Sequence, residues 1–138
     1  MIAMPRHLAG TACALALTVG LAACGETAST SNFKGESHSV AQTVSDLQAD
    51  ATASDQKKLC ENDLAATLTA RLRSGGGCQA VLKNQLHEID ALNMTIESIA
   101  VAVAGATARV KSTYSGKSRV TTLTLVKEGP RWKISGVE

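Results

Sequence analysis

Three groups of side chains in this 138-residue chain are of types that do chemistry: the pair Cys60 and Cys78, the titratable cluster His87, Glu88 and Asp90, and an isolated His38. Two thiols with a single nearby imidazole, His87, fall short of a zinc site, which takes four ligands and commonly shows a Cys-x-x-Cys spacing absent here. A redox-active pair would lie close together at a helix start, and these two enclose a loop of about 19 residues. His87, Glu88 and Asp90 fall at the end of an expected helix, where such groups cap and solvate the terminus. His38 lies beside a polar stretch and is expected to be solvated. Gly75-Gly76-Gly77 lacks the Lys-Ser/Thr that follows a phosphate-binding loop, and the chain has no nucleophile elbow and no His-Glu-x-x-His. Neither a metal nor a cofactor is expected.

Cys24 stands apart from these. Arg6 leads into an apolar run with Leu15, Leu17, Val19 and Leu21, and Leu21-Ala22-Ala23-Cys24 closes it. Basic start, apolar middle and small residues before a cut describe a secretory signal. With Cys directly after the cut, the stretch resembles the lipobox of bacterial lipoproteins. A membrane span would need about 20 predominantly apolar residues, and this run is shorter and broken by Gly10, Thr11, Thr18 and Gly20. Cys13 is a poor rival, because Gly10 occupies its −3 position. The resemblance implies a signal peptide over 1–23, a diacylglyceryl-Cys24 anchor, and residence on the extracytoplasmic face of the cell membrane. Two acyl chains hold a protein there where one is marginal. Outside the cytoplasm, the even pair Cys60/Cys78 reads as a disulfide, worth about 3 kcal/mol in the chain-entropy picture.

Removal of residues 1–23 leaves 115, the size of one ordinary domain. Phe33, Tyr114 and Trp132 are its aromatics, too few for the stacking platforms of nucleic-acid modules, so no nucleic-acid partner is expected. Charge is uneven: residues 24–104 carry 6 Lys/Arg against 10 Asp/Glu, and 105–138 carry 7 against 2.

The elements that would position these groups follow from periodicity. Residues 24–36 are polar and Gly/Ser/Thr-rich, which predicts a flexible tether. Val40, Val44, Leu47 and Ala51 share a helical face. Ser54 or Asp55 can cap a short second helix holding Leu59 and Cys60. Asp63 can cap a third carrying Leu64, Leu68 and Leu72, and the glycines end it. A fourth begins near Cys78 with Leu82, Leu86 and Ile89, so a Cys60–Cys78 bond would staple helix two to helix four. After Asp90 the period changes to two, giving strands over Met94–Val103, Ala106–Tyr114, Ser118–Lys127 and Arg131–Val137. Gly-containing turns between them predict an antiparallel meander. Ile96 is out of phase with Ile99, Val101 and Val103, which a bulge at Glu97-Ser98 would correct. The expected fold is α+β: three or four helices packed on a curved four-stranded sheet over 37–138.

Short helices leading into "MTIESIAVAVAGATARVKSTY" and then "RVTTLTLVKEGPRWKISGV" resemble the small nuclear-transport-factor-2-like lipoproteins of high-GC Gram-positive bacteria. That likeness implies a sheet wrapped around helices as a cone. It also implies a choice between a non-catalytic binding or accessory domain of the envelope, with a protein, envelope or small apolar partner, and a small isomerase or hydrolase. Ketosteroid-isomerase-type members keep a carboxylate base and a tyrosine inside the cone, for which the candidates here are Tyr114 with Asp46 or Asp90. Nothing matches that family's catalytic motif residue by residue.

A last candidate is a binding face. Arg109 and Lys111 alternate on the second strand and Arg131 and Lys133 on the fourth, with apolar residues between them. Period two predicts that both pairs lie on the outer sheet surface, with Arg119 joining from the third strand, facing anionic lipid or an acidic partner.

Overall fold

The computed structural model describes residues 28–87 and 92–138. The expected signal peptide, Cys24, Glu88, Ile89 and Asp90 lie outside the described residues. Within them the chain is α+β, with four helices and one four-stranded antiparallel open sheet. No described helix is long and apolar enough to cross a membrane.

Helix α1 (Glu36–Thr52) buries Val40, Val44 and Ala51, the stripe its spacing predicts. Asp55 Oδ1 accepts from the Lys58 N–H at 3.0 Å and starts α2 (Gln56–Lys58), which runs into a wide π turn over Leu59–Asp63. Helix α3 (Ala66–Arg71) continues as a 3₁₀ turn to Gly75, and Gly76 and Gly77 take φ of 105° and 106°, a region closed to most side chains. Helix α4 (Cys78–Leu86) follows. The Cys60–Cys78 disulfide joins the π turn to the first residue of α4, as expected, with the Cα atoms 6.0 Å apart.

Two helical expectations are corrected. Asp63 caps nothing: the residue entering α3 is Ala65, and the Ala66 N–H donates at 2.7 Å to Glu128 Oε1 from the sheet. Leu64 and Ala65 are instead extended, because Leu64 makes a parallel bridge with Ile134 and the Ala65 N–H donates to the Ile134 carbonyl at 2.7 Å. The predicted tether, from Ala28 on, belongs to the folded body. Ala28 is buried in the main core, and the Phe33 N–H closes a turn onto Thr30 O at 3.1 Å.

Strands β1 (Asn93–Ala102), β2 (Gly105–Tyr114), β3 (Lys117–Glu128) and β4 (Arg131–Val137) form a meander in that spatial order. The β1–β2 register slips between Ile96 and Ser98, which is the predicted bulge and returns Ile99 and Val101 to the phase of Ile96. Ser115 and Gly116 both have positive φ (49° and 72°), forming the two-residue turn that suits the sheet's twist. Ala106, Ala108 and Val110 of β2, Leu123 and Leu125 of β3, and Trp132 and Ile134 of β4 face α1 and make one core with Val40 and Val44. Fully burying side chains of this size stabilises by roughly 1.5–3 kcal/mol each before entropy is counted.

Candidate functional site

Where α1 crosses the start of β4, a polar cavity of 240 Å³ opens to solvent, walled by Asp46, Asp63, Thr43, Asn62, Arg131 and Trp132. Each wall has a local cause. Helical spacing puts Thr43 and Asp46 on the α1 face that meets β4, where Thr43 Oγ1 donates to the Trp132 carbonyl at 3.1 Å. The π turn carries Asn62 and Asp63 underneath, and the covalent tie at Cys60 holds that turn.

Asp63 is the unusual group. It is 4% exposed, and its Oδ2, shut off from solvent, meets no N–H or O–H donor. Its polar neighbour is the carboxyl of Asp50, and two carboxyls hydrogen-bond only with a proton between them. Burial first, then the charge of Asp50, that hydrogen bond and the charge of Asp46, push the Asp63 carboxyl up to about 7 against the opposing pull of Arg131. Asp50 also faces Lys58 at 3.8 Å, and Gln42 Nε2 donates to Asp46 Oδ1 at 2.9 Å. Near neutral pH the site therefore exchanges a proton inside a wall of carboxylates.

Beside this cavity lies a second polar knot. Glu36, at the first turn of α1, accepts from the Trp132 indole N–H at 2.6 Å and from Lys127 Nζ at 2.8 Å, and that ammonium sits 5.6 Å over the indole ring. Both hydrogen bonds hold the Glu36 carboxyl below its ordinary pKa.

The residues expected from sequence are dispersed. Tyr114 stands at the tip of the β2–β3 hairpin, 41% exposed and opposite Lys117, and takes no part in the cavity that Asp46 lines. His38 is exposed, as expected, but it lines the cavity and its Nδ1 lies 3.2 Å from Thr30 O. His87 is exposed at the end of α4.

Arg109, Lys111, Arg131 and Lys133 alternate with core residues and leave from the outer face of the sheet as expected, but Arg119 does not join them. Arg109 is paired with Glu97 at 2.8 Å, and Lys111 is exposed on the outer side. The register sets Arg119 opposite Ser112, in phase with Val110 and Ala108, so it projects from the helix-facing side. Arg131 turns to Asn62 (Nη1–Oδ1 3.4 Å) on the cavity wall, and Lys133 Nζ is held by the Glu61 carbonyl at 2.8 Å and faces Glu128 at 3.7 Å. Among the described residues, no group of three or more His, Cys, Asp or Glu is arranged to hold a metal ion.

Comparison with known proteins decides little. No family model, no curated protein and no solved structure matches the chain. Function must be argued from its own geometry.

The residues missed from sequence are Asp63 as a buried acid and Glu36 as a structural anion. Asp46 and Asp50, four residues apart on one helix face, were the visible signal for the first. Nothing local marks the second, whose partners are 91 and 96 residues away.

Proposed function

We propose that this chain is a lipid-anchored, extracytoplasmic binding domain of the nuclear-transport-factor-2-like type, holding its ligand at the surface and carrying out no catalysis. The observation that supports this most is how the helix–sheet interior is filled. Val40, Val44, Val110, Leu125 and Ile134 are each under 2% exposed, so side chains occupy the space where related enzymes would keep a base and a tyrosine. Interiors packed this way leave no room for a substrate. The isomerase or hydrolase alternative has less support, because Tyr114 lies at a hairpin tip and Asp46 faces a different, open cavity.

Expression in a lipoprotein-processing bacterium tests the reading. The wild-type protein should fractionate with membranes and carry a diacylglyceryl mass. Cys24→Ala should lose both. Affinity capture from the same membranes should recover a partner that survives washing, whereas a turnover removed by Asp46→Asn would replace binding with catalysis.

A further inference from the structure

We infer that the end of the β2–β3 hairpin is a docking surface for the anionic headgroups of the bilayer that holds the anchor, engaged through Lys111, Lys117, Arg119 and Tyr114. The inference rests on the reading of the chain as lipid-anchored, and it names the surface that meets the membrane.

The hairpin outruns the core. Val110 of β2 is fully buried, and the strand continues from it to Tyr114, about 14 Å further at the usual rise. Lys117, Ser118, Arg119 and Val120, which open β3, are all exposed. The register pairs Tyr114 with Lys117, Ser112 with Arg119 and Lys111 with Val120. Three rungs near the tip therefore carry one cation each. Lys111 and Arg119 leave from opposite faces, and beyond the core that places charge on both sides of the tip.

These cations have nothing to neutralise them nearby. Residues 105–127 contain no Asp or Glu. Arg109 is tied to Glu97, Lys127 to Glu36, and Lys133 faces Glu128, whereas no described residue pairs with Lys111, Lys117 or Arg119. Each such residue near an anionic lipid surface strengthens partition about fivefold. Tyr114 and Val120, 41% and 43% exposed, add a ring with a polar end and an apolar side chain, which suit the headgroup level.

The anchor brings this end to the membrane. Residues 25–27 separate Cys24 from Ala28, which is 3% exposed in the main core. Four residue steps reach at most about 14 Å. Ser29 then lines a cavity of 170 Å³ with Asn93–Ile96 at the start of β1. On the neighbouring strand Asn93 lies opposite Thr113, and Thr95 opposite Lys111. The chain entering from the anchor and the basic tip thus meet at one end of the sheet. Cations beside an acyl anchor supply the second signal that makes membrane attachment firm.

Docking there also orients the domain. The α1–β4 cavity is bordered by Pro130 and Arg131, at the other end of β3, whose 12 residues span about 37 Å. Contact through the hairpin tip turns that cavity away from the bilayer.

The test places an environment-sensitive NBD dye on Ser115→Cys in the lipidated protein; Cys60 and Cys78 are bonded to each other and stay unlabelled. The protein is reconstituted with vesicles of phosphatidylcholine alone or of equal parts phosphatidylcholine and phosphatidylglycerol. Emission should rise and shift to the blue on the anionic vesicles only. The rise should vanish at about 1 M salt, where the Debye length is about 3 Å. With Lys111, Lys117 and Arg119 all changed to Ser, the ratio of docked to undocked protein should fall about a hundredfold. The same dye on Val103→Cys, at the far end of the sheet, should not respond to lipid composition. A silent Ser115 dye on anionic vesicles, as an acidic protein partner for the tip would give, overturns the surface. So does emission that is equal on both vesicles and indifferent to salt; neither result depends on the charge variant folding. Failure to float with phosphatidylcholine vesicles refutes the anchor, on which the surface depends, whereas flotation with a silent dye refutes the surface alone.

Discussion

At the β4 edge of the sheet the chain comes back on itself, and along the second half of β1 no described residue does. Leu64 and Ala65 hydrogen-bond along β4, Lys133 reaches the Glu61 carbonyl, Glu128 caps α3, and the disulfide pins the returning segment. On β1, Ala100, Val101 and Ala102 lie exposed and uncharged, and the strand ends at a fully exposed Val103. They border a shallow apolar depression of 380 Å³ that extends to Leu125 and Val126. Bare edges invite pairing with another chain, and proteins blunt them with charge, proline, bulges or cover. β1 has its bulge at Glu97, but the charge there is spent on Arg109 at 2.8 Å. Cover is the stronger device, and it requires distant sequence, which among the described residues reaches β4 and not the second half of β1.

The contrast can be broken from the covered side first. Trp132→Ala should cost about 3–5 kcal/mol, because it removes a buried ring and the donor to Glu36 together, and urea unfolding would measure it. A loss under 1 kcal/mol would mean that the returning segment does not depend on the core beneath it.

Next in size is the staple. Replacing Cys60 and Cys78 by Ser should cost about 3 kcal/mol by freeing the unfolded chain, and amide exchange of Leu64 and Ala65 should quicken before that of β2. Uniform loss of protection would instead assign the bond no special role at this edge.

Asp63, under the same edge, should make stability depend on pH. Its folded pKa near 7 lies above the unfolded value near 4, so between them the native state holds a proton that the unfolded chain has released. Stability then falls as pH rises from about 4 to about 7 and is level above that. Asp63→Asn should flatten this slope, stabilising by about 1–2 kcal/mol at pH 8 and far less at pH 4. Thermal unfolding at both pH values checks the sign.

The smallest change in stability belongs to the open edge. Val101→Lys, at a position 39% exposed, should alter unfolding by no more than about 0.5 kcal/mol while lowering concentration-dependent association in sedimentation velocity. A large destabilisation would show that β1 is not open in solution.

What could be read in advance was whatever a local rule controls. Val40, Val44 and Ala51 mark one face of α1 by spacing, the phase slip at Ile96 announces the bulge, Asp55 caps its own helix, and the cysteines join as their number implies. Asp63 was misread because cap preference is local, whereas the acceptor for α3 came from Glu128, 62 residues on. The basic face held for the pairs on β2 and β4 and failed at Arg119, for another reason. Alternation fixes a face only within one strand, and relating two strands needs the turn. Ser115-Gly116 sets Tyr114 against Lys117, hence Ser112 against Arg119, so even-numbered residues of β2 share a face with odd-numbered residues of β3. That count was available from the sequence and places Arg119 opposite in sense to Arg109 and Lys111. The carboxylate cavity was half legible, since Asp46 and Asp50 declare themselves on α1, but the π turn that brings Asp63 to them has no comparable signature.

The bond from Trp132 to Glu36 spans 96 residues, and Thr43 meets the same tryptophan's carbonyl. Helix α1 therefore takes part of its cover from the last strand, besides what it takes from β1. Until β4 is available, the Val40–Val44 face lacks part of its cover, and closing so long a loop is slow. The α1–β4 junction should therefore be among the last parts of the domain to form.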